Sequence, residues 1–142
     1  MKSRILITFF VLLLAGLLIG CGGNDQTQNT LTISASDDFK YDPETVTVKA
    51  GEEVTLNFNN KGEVEHSFNL LKADAELEHV LKEADDEEHM HEELILDVHE
   101  LAGGESVTET FTAPAEPGDY VFFCSLPGHA EAGEVGTLTV VP

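Results

Sequence analysis

The sequence predicts an all-β domain of eight short strands, arranged as a β-sandwich or Greek-key barrel. Short runs alternate apolar and polar residues, the pattern of half-buried strands. Turn compositions separate most of these runs, among them Asn60-Lys61-Gly62 and Pro117-Gly118. The size agrees: 142 residues hold one domain, and 42% hydrophobic residues suffice for a core.

The strands are expected at residues 30–36, 44–50, 53–59, 64–71, 94–98, 106–112, 120–124 and 136–141. Alternation is plain in the first, second and sixth, and Gly51 ends the second. Between Lys72 and Glu100 the composition changes to twelve acids and two lysines. Leu77, Val80, Leu81 and Ala84 recur there at i, i+3, i+4 and i+7, one face of a helix. A helix is therefore expected from residue 74 to about 88, laid against the sandwich within an acidic insertion spanning 72–100. No internal repeat is visible.

The N-terminus reads as an export signal. Lys2 and Arg4 precede the uncharged run from Ile5 to Gly20. Sixteen residues are short for a spanning helix, which needs about 20. The run closes on Leu18-Ile19-Gly20-Cys21, which resembles the lipobox of bacterial lipoproteins. That resemblance implies a signal peptide over residues 1–20 and a lipidated Cys21 as first mature residue. Residues 21–29 are then a polar tether, and 30–142 the folded domain. An uncleaved membrane anchor is the alternative. Both place the domain outside the cytoplasmic membrane, on its periplasmic or extracellular side.

Seven Lys and Arg against 27 Asp and Glu give a formal net charge of −20. No nucleic acid is expected as partner, since phosphate contacts need a basic face. Electrostatic docking onto anionic lipid is equally disfavoured. Two cysteines exclude a disulfide scaffold.

With Cys21 lipidated, Cys124 is the remaining cysteine. A free thiol in an exported protein oxidises unless something protects it, and metal coordination does so. In Cys124-Ser-Leu-Pro-Gly-His129 the Pro-Gly turn lets both ligand types reach one ion. A third ligand must come from elsewhere, and His66 lies on a strand that can neighbour them. Two histidines and a cysteine with a weak axial ligand are the arrangement of blue-copper sites.

Residues 120–140, with the Cys124-x4-His129 spacing and the following Gly-Glu-Val-Gly-Thr-Leu-Thr-Val, resemble the C-terminal motif of cupredoxins. The likeness is strongest to the auracyanin and plastocyanin-like group. Phe39-Lys-Tyr-Asp-Pro43 with Val46, Val48 and Gly51 resembles that family's N-terminal strands, and Glu65-His-Ser-Phe-Asn69 its first-histidine strand. The resemblance covers most of residues 30–142, interrupted by the acidic segment. It implies an eight-stranded Greek-key cupredoxin sandwich, with one type 1 or type 1-like copper ion bound by His66, Cys124 and His129.

The family's axial methionine stands five residues after the second histidine, where this chain has Glu134. Met1 lies in the signal and Met90 in the acidic segment, so neither replaces it. Glu134 is read as an axial oxygen ligand. It could instead turn to solvent, or belong to a site for a harder metal such as zinc or cobalt. Ser67 stands where many relatives carry Asn, so it either hydrogen-bonds near the cysteine sulfur or is a surface strand residue. His89, Met90 and His91 form a tract that is either a solvated acidic face or a second, weaker metal site.

The function expected is a membrane-tethered electron carrier, with no catalytic residues. It would exchange electrons as a monomer with redox proteins that present a basic docking face. The alternative is a lipoprotein that binds, stores or delivers copper or another divalent metal.

Overall fold

The computed structural model describes residues 29–82 and 87–142, without the side chains of 87–89. The signal peptide, Cys21, most of the tether and Ala84 lie outside the described residues. Among those described, no helix is long and apolar enough to cross a membrane.

The chain folds into a β-sandwich. In order the elements are β1 (Thr30–Ser36), β2 (Lys40–Asp42), β3 (Thr45–Lys49), β4 (Glu53–Asn60), β5 (His66–Leu71), α1 (Leu77–Lys82), α2 (Glu87–Glu92), β6 (Leu94–Leu101), β7 (Ser106–Thr112), β8 (Gly118–Phe123), α3 (His129–Ala132) and β9 (Val135–Val141). One sheet has the order β2-β1-β4-β7 and the other β3-β9-β8-β5-β6. Pairing is parallel in β1/β4 and β3/β9, and antiparallel elsewhere.

Alternation becomes burial. In β4, Val54, Leu56, Phe58 and Asn60 are buried while their neighbours are not. The inner faces meet around Tyr41, Phe58, Phe68 and Phe122. Phe68 and Phe122 stack at 4.9 Å, and Tyr41 meets Phe122 edge-on at 5.1 Å.

Two expectations need correction. Among the described residues there are nine strands rather than eight, because β2 pairs with β1 through Tyr41 opposite Ala35. Its three residues are too few to show a period. The helix expected over 74–88 begins later, at Leu77 with α1, and the helical chain of α2 runs on to Glu92; residues 83–86 between them lie outside the described residues. The α1 hydrogen bonds begin at the Glu76 carbonyl, the register that buries Val80.

The insertion has a structural task. All six residues of β5 are buried, so this strand is covered on both faces. Phe68 and Leu70 point into the sandwich. Leu71 points outward, where Val80, Leu94, Phe123 and Ala130 close a second small core with it. The last quarter of the acidic segment is β6 itself, paired along β5.

Candidate metal centre

Three loops at one end of the sandwich deliver the expected side chains to one point. β5 pairs with β8 through Asn69 opposite Phe123 and Leu70 opposite Phe122. This register brings His66 and Ser67 beside the chain leaving β8 at Cys124. The Cys124 amide then donates to the Glu134 carbonyl (3.2 Å), and the Glu134 amide to the His129 carbonyl (3.0 Å). The loop is thus closed on itself. Gly128 and Gly133, at φ 86° and 114°, start and stop the four-residue α3 in left-handed conformations that suit glycine. Gly133 is what lets the chain turn Glu134 inward one residue before β9.

His66, Cys124, His129 and Glu134 each offer a ligand atom within 4.8 Å of all the others. His129 Nδ1 is 3.4 Å from Cys124 Sγ and 3.1 Å from Glu134 Oε2. His66 Nδ1 lies 2.8 Å from Glu134 Oε1 and 2.9 Å from Oε2. His66, Cys124 and Glu134 are fully buried, whereas the His129 side chain is 16% exposed. Glu134 therefore does not turn to solvent. Among the described residues, its Oε1 is a buried oxygen without a hydrogen-bond partner. An orphaned carboxylate oxygen facing a thiol and two imidazoles fits a bound cation.

Burial pushes each group toward its neutral form. It raises the Cys124 thiol, raises the Glu134 carboxyl to about 7, and lowers both His66 and His129. Neutral imidazoles are the metal-binding form, so the histidines are ready, while the thiol and carboxyl release protons to a metal.

The surroundings hold this set in place. The Ser67 amide and hydroxyl approach Cys124 Sγ at 3.4 and 3.5 Å. Ser67 is buried, and its oxygen accepts from the Ser125 amide at 2.9 Å. It is therefore a tie between the two ligand strands and not a surface residue. Four supporting residues were not singled out from sequence. Tyr41 donates from its hydroxyl to the Ser67 carbonyl (2.7 Å), and Asn69 Nδ2 donates to Ser67 Oγ (3.1 Å). Phe39, itself left-handed at φ 55°, lies edge-on to His129 at 4.7 Å. Asp37 accepts from the Glu63 and Val64 amides, which fixes the loop before His66. Asn69 stands in the Glu65-His-Ser-Phe-Asn69 motif, between Phe68 and Leu70, and Phe39 and Tyr41 stand in the Phe39-Lys-Tyr-Asp-Pro43 motif. Nothing local marks Asp37.

Among the described residues, no side chain of the tract around Met90 joins this centre. Met90 packs with the outer core, and His91 meets Asp97 and His99 on β6.

Residues 28–141 match the family of copper binding proteins described as plastocyanin/azurin. The copper-resistant cuproprotein CopI of Rubrivivax gelatinosus is 36% identical over 124 residues, covering 84% of this chain and 70% of CopI. Auracyanin-A of Chloroflexus aurantiacus is 28% identical over 147 residues, 89% of this chain and 90% of its own. The crystal structure of dithionite-reduced auracyanin from Roseiflexus castenholzii superposes with a TM-score of 0.71 at 29% identity, covering 82% of this chain and 99% of that one. By sequence, by fold and by its buried donor set, the chain belongs to the plastocyanin/azurin family of copper-binding proteins, the cupredoxins, and its cofactor is a single copper ion.

Proposed function

We propose that this cupredoxin is an electron carrier, in which His66, Cys124 and His129 hold the copper and Glu134 occupies the axial place. Bound copper would supply a one-electron couple. The observation that carries the reading is the pre-assembled donor set, buried except at the His129 edge. The backbone bonds that close the 124–134 loop hold the donors in one geometry, so little rearrangement accompanies a change of charge. The exposed edge of His129 is the short route to a partner.

Cys21 at the end of the apolar run supports a lipid anchor on the outer face of the membrane, with the protein a monomer. The net charge of −20 supports partners with a basic docking face and salt-sensitive association. The test is the Cu(II) absorption spectrum and voltammetry of the parent and Cys124→Ser. An intense thiolate charge-transfer band and a reversible one-electron wave are expected in the parent, and neither in the variant. A fully coloured Cys124→Ser protein would sink the assignment.

A second reading, copper binding and delivery, is favoured by the likeness to a relative named for copper resistance. It predicts that copper passes from the protein to a competing chelator or acceptor faster than electrons pass to a redox partner. Stopped-flow comparison of the two rates separates the readings.

A further inference from the structure

We propose a second metal site on the outer face of β6, formed by His91, Asp97 and His99, for a borderline divalent ion such as Zn(II) or Cu(II). Alternation along β6 turns Val98 into the core, so Asp97 and His99 share the opposite face. His91 reaches that face from the end of α2. The Lys72 amide donates to the Glu93 carbonyl at 3.0 Å, and its ammonium to the Glu92 carbonyl. These bonds hold the α2–β6 turn against the end of β5 and so place His91.

Three potential ligands converge. His91 Nδ1 is 2.8 Å from Asp97 Oδ2, and His99 Nδ1 is 3.9 Å from Asp97 Oδ1. The two imidazole rings meet edge-on with centroids 6.0 Å apart. Ligand atoms on a tetrahedral ion at about 2.0–2.2 Å are separated by about 3.4 Å, so the two observed distances bracket that spacing.

A plain ion pair explains the cluster less well. Asp97 Oδ2 is buried and makes no hydrogen bond, although His91 Nδ1 is so near. The nitrogen therefore faces the oxygen without a hydrogen bond between them. Asp97 is 16% exposed at its side chain, while His91 and His99 are 48% and 78% exposed, so an ion can enter from solvent. Two imidazoles and a carboxylate, without sulfur, select Zn(II) or Cu(II) over Cu(I) and over calcium. Of the histidine-and-methionine tract expected as a second site, His91 joins this cluster, while Met90 packs in the outer core.

The test uses the full chain with one copper equivalent at Cys124, its visible band serving as a monitor. Zn(II) is titrated by calorimetry, with Ca(II) in a parallel arm. The parent is expected to take one further Zn(II) with the band unchanged. His99→Ala and His91→Ala, both at exposed positions, should weaken that uptake roughly tenfold or more. The proposal is overturned if the parent takes no second Zn(II), if the double variant binds it undiminished, or if Ca(II) binds equally well.

Discussion

Glu134 and His66 are in contact through two fully buried side chains, with Nδ1 2.8 Å from Oε1 and 2.9 Å from Oε2. On the proposed axial role, this carboxylate would meet the metal as an anion, where the family resemblance implies a neutral thioether. An anion favours the more positive ion, Cu(II). One charge at ~3 Å and an effective dielectric of ~20 is worth roughly 5 kcal/mol before desolvation offsets it. Half of that surviving is on the order of 100 mV for a one-electron couple. Glu134→Met should therefore raise the reduction potential by about that amount. Voltammetry of parent and variant checks it, and an unchanged potential means that Glu134 does not act on the metal.

The same burial sets a pH dependence in the metal-free protein. The Glu134 carboxyl is raised to about 7 from an ordinary 4.5. Between those values the folded chain holds a proton that the unfolded chain has released, so stability falls as pH rises through this window. The full loss above it is about 3 kcal/mol. His66 and His129, lowered by burial, act oppositely and below their ordinary value of 6.5. Glu134→Gln isolates the carboxyl. Its stability relative to the parent should climb between pH 4.5 and 7 and be level above, as read by denaturant unfolding. Copper uptake runs the other way, because Cys124 and Glu134 must both lose protons. Affinity should increase with pH, more steeply in the parent than in Glu134→Gln. A pH-independent difference in unfolding between the two proteins would contradict the buried-carboxyl account.

Much of this was legible in sequence where a pattern repeats or a residue type is chemically unusual. The period-two runs of β4 and β9 show as strands because each has one buried face. Cys124 was conspicuous as a lone thiol, and His129 by its spacing. Four things were not legible. β2 has three residues and no period of its own. The helix face ran across 74–88, but burial of Val80 set where the first turn forms. His91, Asp97 and His99 meet across a helix-to-strand turn, a separation with no sequence signature. Phe39, Asp37 and Tyr41 support the site through tertiary contacts that only the assembled sandwich creates.

Ser67 is placed to tune the sulfur. Its amide and hydroxyl lie 3.4 and 3.5 Å from Cys124 Sγ, and its oxygen also accepts from the Ser125 amide. Donors to a thiolate stabilise the more electron-rich sulfur of the reduced state. Ser67→Ala should lower the potential by a few tens of millivolts, the equivalent of about 1 kcal/mol. It should also destabilise the fold by about 1–3 kcal/mol, because the Ser125 amide loses its acceptor. An unchanged potential would mean that the hydroxyl proton goes to Ser125 Oγ, 3.0 Å away, and not to the sulfur.

Val80 decides what the acidic insertion does. It is 3% exposed and closes the outer core with Leu71, Leu94, Phe123 and Ala130. Phe123 and Ala130 each adjoin a residue of the donor set, Cys124 and His129. The insertion is thus a cover over the back of the metal loop, and among the described residues it contributes no donor to the centre. Val80→Ala removes two carbons from this core and should cost about 2 kcal/mol. The visible spectrum of the copper form should not change. Replacing residues 73–92 by a short loop should keep the spectrum too, while lowering the melting temperature far more, since Leu71 and Phe123 become exposed. Thermal unfolding followed at the visible band reads both effects at once. A variant that unfolds like the parent would show that the insertion does not seal β5, and a variant with an altered band would show that it shapes the metal centre directly.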